Sequence, residues 1–146
     1  MKINPYLNFD GNAEKAFEFY KKIFGKEFDS IMRFSEIPPQ EGVEFPTDEK
    51  DRIMHISIPL GNDNFLMASD ISPSRGHKLI QGNNMYISLN PDNLEESKRI
   101  YKELIENAKK IEMEFQKMFW GDYFASFMDK FGVMWMINYK AKEGEE

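Results

Sequence analysis

Hydrophobic positions recur along this chain with two different periods, and their order predicts a set of elements. Residues 3–9 alternate, with Ile3, Pro5, Leu7 and Phe9 on one side and Asn4, Tyr6 and Asn8 on the other, as in a strand with one apolar face. Gly11-Asn12 stops that strand, and Asn12 is placed to cap a helix. Ala13, Ala16, Phe17, Tyr20, Ile23 and Phe24 follow at spacings of three and four, predicting an amphipathic helix that Gly25 ends as its C′ residue. Residues 26–35 predict a second strand. Residues 36–51 hold three prolines, a glycine and many acids, and predict a mobile surface connection, with a lid as the alternative. In a third strand over 52–60, Met54, Ile56 and Ile58 face one way and Ile53, His55 and Ser57 the other. Gly61-Asn62-Asp63-Asn64 predicts a hairpin turn into a fourth strand over 65–69, and 71–83 read as a linker.

The same order then returns. A strand over 85–89 leads to Asn90-Pro91, which is expected to open a helix with Pro in its first position. Leu94, Ser97, Ile100, Tyr101, Leu104 and Ile105 form that helix's apolar stripe. Strands over 110–120, 123–129 and 133–139 follow, the last two joined by a Lys130-Phe131-Gly132 turn, and the charged tail 140–146 is expected to fray. Tyr6-Leu7-Asn8-Phe9-Asp10 aligns with Tyr86-Ile87-Ser88-Leu89-Asn90. Phe19-Tyr20-Lys21-Lys22-Ile23-Phe24 aligns with Ile100-Tyr101-Lys102-Glu103-Leu104-Ile105 after a one-residue insertion. This predicts an α+β fold of two β-α-β-β-β repeats, over about 1–70 and 84–140, in a single domain 1–146. Helices must cover the apolar faces, so Leu7, Phe9, Met54, Ile56, Ile58, Leu66, Ala68, Met85, Ile87, Leu89, Val133, Trp135 and Ile137 are expected beneath them. The opposite faces carry Asn4, Tyr6, Asn8, His55, Ser57, Met67, Asn84, Tyr86, Ser88, Met134, Met136 and Asn138.

Composition narrows the function classes. The chain has 146 residues, 41% hydrophobic and 30% charged, which places it among folded domains. No apolar run approaches the ~20 residues that span a bilayer, and no signal-peptide core is expected at the N-terminus, so no membrane partner is expected. Cysteine is absent, which suits a reducing cytoplasm. A net charge of −6 with scattered basic residues excludes nucleic acid as the expected partner. Ten methionines and 14% aromatic residues suit either core filling or an adaptable apolar pocket.

Certain words along the chain resemble a known family. Pro5-Tyr6-Leu7-Asn8-Phe9-Asp10-Gly11-Asn12 leads into Ala16-Phe17-Glu18-Phe19-Tyr20 and Phe24-Gly25. Ile53-Met54-His55-Ile56 and Leu66-Met67-Ala68-Ser69-Asp70 follow, then Phe119-Trp120-Gly121-Asp122 and Asp129-Lys130-Phe131-Gly132-Val133 with Trp135. Together they resemble the vicinal oxygen chelate superfamily of glyoxalase I, bleomycin-resistance proteins and extradiol dioxygenases, and within it the PhnB-like branch. The resemblance implies a glyoxalase-like fold, with two curved four-stranded sheets facing each other across a cleft and helices on the outer faces, and a homodimer. After Trp120-Gly121-Asp122 the branch often carries Arg, an aromatic and Gly, where this chain has Tyr123, Phe124 and Ala125. Metal-dependent members hold their ion with His and Glu from four strands; the equivalent positions here are Asn4, Met67, Asn84 and Met136. Amides and thioethers do not supply what a divalent ion wants, so no metal and no cofactor are expected. Branch members are sometimes labelled ubiquinone-pathway methyltransferases, but the chain has no glycine-rich strand-to-helix loop of the nucleotide- or methyl-donor kind.

His55 is the one acid–base group predicted on a cleft face, and so the candidate catalytic residue. Its other reading is a hydrogen bond to a neighbour such as Ser57 or Asp70 that orders the sheet. Tyr6, Asn8, Ser57, Met67, Tyr86, Ser88, Trp120, Met136 and Asn138 are the candidate ligand-binding residues. Trp120 can stack on a flat ligand or pack at a dimer contact or in the core. Asp70, ending a strand, is placed to cap or to anchor the linker, Asp122 to form a turn, and His77 to sit in a solvated loop. No Gly-x-Ser-x-Gly elbow is present. Three functions stay open: a protein that binds a small organic molecule in a metal-free cleft between the repeats, a metal-independent enzyme using His55, and a structural dimerisation domain with a filled cleft.

Overall fold

The computed structural model describes residues 1–38, 40 and 42–145; Pro39 and Glu41, in the predicted 36–51 connection, and Glu146, in the tail, lie outside the described residues. The chain forms two compact units, Met1–Ile80 and Gln81–Glu146, which meet inside the predicted linker. The first carries β1 (Tyr6–Phe9), α1 (Ala13–Phe24), β2 (Ser30–Arg33), β3 (Ile53–Gly61) and β4 (Asn64–Asp70). The second carries β5 (Ile87–Leu89), α2 (Leu94–Leu104), β6 (Lys110–Lys117), β7 (Tyr123–Met128) and β8 (Met134–Tyr139). Each unit has one four-stranded sheet, ordered β1-β4-β3-β2 and β5-β8-β7-β6. In both, the first strand runs parallel to the last and the other pairs are antiparallel. Sharing one order and one set of directions, the two sheets are an α+β duplication of the predicted kind.

In the first unit, α1 buries Ala13, Ala16, Phe17, Tyr20 and Ile23 against β3 and β4. Phe9, Ile56, Ile58, Leu66 and Ala68 form the apolar floor beneath it. Gly25 ends the helix at φ 61°, ψ 41°, and the following Lys26 N–H donates to Lys21 O at 3.0 Å. The opening of α1 differs from the sequence expectation. Asn12 sits at φ −117°, ψ 19° and makes no side-chain cap. Asp70, at the end of β4, does the capping instead. Its Oδ1 accepts from Gly11 N (2.9 Å) and Ala13 N (3.0 Å), and its Oδ2 from Ile53 N (2.8 Å). A carboxylate here also meets the positive end of the helix dipole.

The alternation along β3 is broken by a bulge. Met32 pairs with His55 but Arg33 pairs with Ile53, so Met54 is the extra residue. Ile53, 1% exposed, therefore joins Ile56 and Ile58 in the core, and Met54 leaves it. The expectation that Met54 lies under the helix and Ile53 opposite is overturned for that reason. Asn62 (φ 51°) and Asp63 (φ 59°) make the predicted hairpin turn between the paired Gly61 and Asn64.

The described part of the 36–51 connection is packed rather than free. Phe45 stacks on Phe34 with ring centroids 4.8 Å apart. Glu49, 3% exposed, accepts from Ser72 Oγ (2.7 Å), Ser74 N (2.8 Å) and Ser74 Oγ (2.8 Å).

In the second unit, Pro91 does not open the helix. Asn93 caps α2, its Oδ1 accepting from Glu96 N at 2.8 Å from an extended backbone. Trp135, Phe127, Ile137, Ala125 and Leu104 are fully buried. Asp129 accepts from Phe131 N (2.8 Å), Val133 N (3.0 Å) and Trp135 Nε1 (2.8 Å). Met85 lies ahead of β5 and is 79% exposed, contrary to its expected burial. The tail is tied rather than frayed up to Glu145, whose carboxylate accepts from Tyr139 Oη (2.8 Å) and Lys142 N (3.0 Å).

Two outcomes follow from the buried carboxylates. Asp70→Ala leaves three backbone N–H groups without their acceptor and is expected to lower stability by about 3 kcal/mol in urea unfolding; a loss under about 0.5 kcal/mol contradicts this role. For Glu49, burial pushes the carboxyl upward, but the Ser72 and Ser74 bonds and the charge of Arg52 outweigh it and hold it below its ordinary value. A depressed carboxyl stabilises the fold above its unfolded value and loses that contribution as pH falls through the folded one. The stability advantage of the native chain over Glu49→Gln should thus be full above about pH 5 and shrink in more acidic buffer, and an advantage that stays constant down to about pH 3 contradicts it.

Candidate functional site

The face of the first sheet opposite α1 carries polar groups in register. Tyr6, Met67 and Ser57 are neighbours across β1, β4 and β3, and Asn8 pairs with Ser69 one step along. Tyr6 Oη lies 3.0 Å from His55 Nδ1 and 2.5 Å from Ser69 Oγ, and Ser69 Oγ donates to Met54 O at 2.7 Å. The direction of these bonds is fixed from one end. A carbonyl can only accept, so the Ser69 hydroxyl proton goes to Met54 O. Ser69 Oγ then accepts the single phenol proton of Tyr6, and Tyr6 Oη accepts in turn from His55. Nδ1 of the imidazole must carry a hydrogen for all three bonds to exist together. In the neutral ring, Nε2 is then a bare lone pair, with no hydrogen-bond partner among the described residues. The neighbour expected for His55 was Ser57 or Asp70. Ser57 instead is buried with its hydroxyl 3.5 Å from Asp29, and Asp70 is filled by backbone N–H groups.

Beside this face is a hollow of about 710 Å³. The sheet contributes Asn8, Met54 and Ser69. Residues after β2 contribute Phe34, Ile37 and Phe45, and the end of β4 and the chain after it contribute Asp70, Ile71, Ser72, Arg75, Gly76, His77 and Lys78. Of the candidate ligand-binding residues, Asn8 alone lines it. His77 is exposed, as a solvated loop residue would be, yet it borders the hollow, and its Nδ1 accepts from Ser72 N at 3.4 Å. Phe45 and Arg75 lie in irregular segments, about which alternation carries no information, and Phe34 falls in a turn just past β2 rather than in the strand expected over 26–35. The one available signal was a pair of phenylalanines flanking an acidic, proline-rich stretch that had no other apolar purpose.

The candidates in the second unit are arranged differently. Ser88 pairs with Met136, and Asn138 O accepts from Asn90 Nδ2 at 3.1 Å. Tyr86 precedes β5 and donates to Glu112 Oε1 at 2.7 Å; that bond, with burial and the carboxylate's charge, raises the phenol above its ordinary pKa. Trp120 is 51% exposed in the turn after β6, edge-on to Phe119 at 4.9 Å between centroids.

The donors at the positions equivalent to the metal ligands do not fit a divalent ion. Asn4 Oδ1 is occupied by Phe65 N at 2.9 Å, Asn84 is exposed ahead of β5, and Met67 and Met136 offer thioethers. No three His, Cys, Asp or Glu side chains among the described residues come together as an ion would require. A methyl-donor site of the doubly wound kind does not fit either. Both sheets are mixed, and the N–H groups at the opening of α1 already bind Asp70.

The chain is similar to known proteins over nearly its whole length. Residues 1–138 match the family model described as 3-demethylubiquinone-9 3-methyltransferase. Protein YjdN of Escherichia coli strain K12 is 34% identical over 147 residues, covering 94% of this chain and 95% of its own. PA1353 from Pseudomonas aeruginosa is 34% identical, with a TM-score of 0.83 over 97% of this chain and 99% of that one. A PhnB protein from Bacillus cereus is 25% identical, with a TM-score of 0.74 over 95% and 99%. At 14% identity, a glyoxalase/bleomycin resistance protein/dioxygenase family enzyme from Burkholderia phytofirmans shares the fold, with a TM-score of 0.58 over 95% and 96%. With its two duplicated sheets and a match across 138 residues, the chain belongs to the PhnB-like family described as 3-demethylubiquinone-9 3-methyltransferase.

Proposed function

We propose that this chain binds a small organic molecule without a metal, and that the hollow of the first unit receives it. The observation that carries this reading is the hollow itself. A volume of about 710 Å³ lies within the range of small-molecule sites. Its walls combine the apolar side chains of Phe34, Ile37, Phe45, Met54 and Ile71 with Asn8 and Ser69 on the sheet and a largely polar segment from Asp70 to Lys78. This mixture suits a ligand that is oriented by a few hydrogen bonds and held by contact area. Methyl transfer, which the family's description names, finds no support in the residues at the opening of α1.

A thermal-shift screen of aromatic and amphipathic compounds tests the reading. At least one compound, at about 100 times its dissociation constant, is expected to add about 2.7 kcal/mol and raise Tm by several degrees. The shift should persist in EDTA and vanish in Met54→Trp, which fills the hollow. A silent panel, a shift abolished by EDTA, or one that survives Met54→Trp contradicts it.

A second reading is favoured by the oriented chain from His55 through Tyr6 and Ser69 to Met54 O. It holds Nε2 of His55 as a lone pair on the sheet face, the state required of a general base. The expected signature is a protonated Nδ1 and bare Nε2 for neutral His55 in nitrogen NMR, with that preference lost in Tyr6→Phe. An Nε2–H ring in the native chain would remove the basis for this role.

A further inference from the structure

We propose that the ligand taken by the first unit's hollow is an organic anion with a flat apolar body, of the aryl carboxylate class. This rests on the preceding reading and adds the charge and shape of the molecule. The starting observation concerns the arginines. Arg33 is paired with Glu14 at 2.6 Å, Arg52 with Asp10 at 2.8 Å and Arg99 with Glu103 at 3.1 Å. Arg75, on the rim of the hollow, has no carboxylate partner among the described residues, and neither does Lys78 beside it. Two cations without a carboxylate partner among the described residues thus share one opening, and Arg75 differs in this from the other three arginines.

Among the described residues, the two buried acids nearest the hollow are already bonded elsewhere. Asp70 borders the hollow, but its two oxygens are taken by Gly11, Ala13 and Ile53. Glu49 is buried and takes its bonds from Ser72 and Ser74. The acidic connection turns Ile37 and Phe45 to the hollow.

Geometry supplies the shape. Phe34 and Phe45 stack with planes 23° apart, an aromatic wall against which another flat ring can pack edge-on. The Arg75 guanidinium carbon lies 5.7 Å from the centre of the Phe45 ring. That places the cation over Phe45, where the carboxylate of an aromatic acid packed edge-on to that ring can meet its planar fork. Lys78 adds a point charge on the same rim.

Protein-detected NMR titrations with benzoate, 2-naphthoate and 3-phenylpropionate, each against its primary amide, test the proposal. At least one acid should bind about tenfold or more tightly than its amide, as expected when a charge-assisted bond is lost. Arg75→Gln/Lys78→Gln should abolish that preference, bringing acid and amide to similar affinities, and Arg75→Lys should keep part of it. Equal binding of acid and amide, or an acid preference that survives the double variant, overturns the proposal. If amides shift the resonances of Asn8 and Met54 and no acid is preferred, the anion assignment alone fails and the hollow remains a binding site. If no acid or amide binds and the wider thermal-shift panel is also silent, both readings fail.

Discussion

The first unit depends on one buried carboxylate. Asp70 ends β4, and through three N–H groups it fixes where α1 begins and where β3 enters the sheet. A helix opening buried without an acceptor would be costly, and so would a buried carboxylate without donors; here each satisfies the other. Asp129 does comparable work in the second unit, where it holds the turn into β8 and the indole of Trp135. The two residues sit at different strand ends, after β4 and after β7. The duplicated fold thus meets one requirement, a polar clamp at a crowded strand terminus, in two ways.

What surrounds the candidate site follows from that clamp. With β3 and β4 fixed at Asp70, the bulge at Met54 sends this side chain out of the core and toward the hollow. Glu49, tied to Ser72 and Ser74, joins the connection after β2 to the segment after β4. Phe45 is carried with that connection onto Phe34. The hollow is therefore walled by irregular chain, but by irregular chain held through buried hydrogen bonds and ring stacking. A carboxylate and a stacked ring do here what a regular element does elsewhere.

Most of the fold was legible in the pattern of apolar residues. Ala13 to Phe24, the Asn62-Asp63 turn and the repeat of Tyr6-Leu7-Asn8 as Tyr86-Ile87-Ser88 each signal their structure locally. Two of the differences turn on a partner distant in sequence, and the third on a better cap two residues along. Asn12 looked like a cap, but the acceptor came from Asp70. Met54 looked like a core residue until a bulge moved Ile53 into its place. Pro91 looked like a first helical residue, but Asn93 supplied the cap. The site was less legible than the fold. Tyr6, Asn8 and His55 could be placed on one face by parity. Arg75, Phe34 and Phe45 could not, since they lie outside strands and meet only because Glu49 ties the two segments together.

Family membership leaves the chemistry to the residues. The relatives of known structure share the fold, and in this chain an aromatic-walled hollow carries at its rim an arginine without a carboxylate partner among the described residues. A crystal structure of the protein grown with the tightest binder from a compound screen tests that account most directly. The account predicts the molecule seated between Phe45 and Ser69 in the first unit, with no ion beside it. A molecule bound elsewhere, with Phe45 folded onto Met54 and the hollow closed, would contradict it.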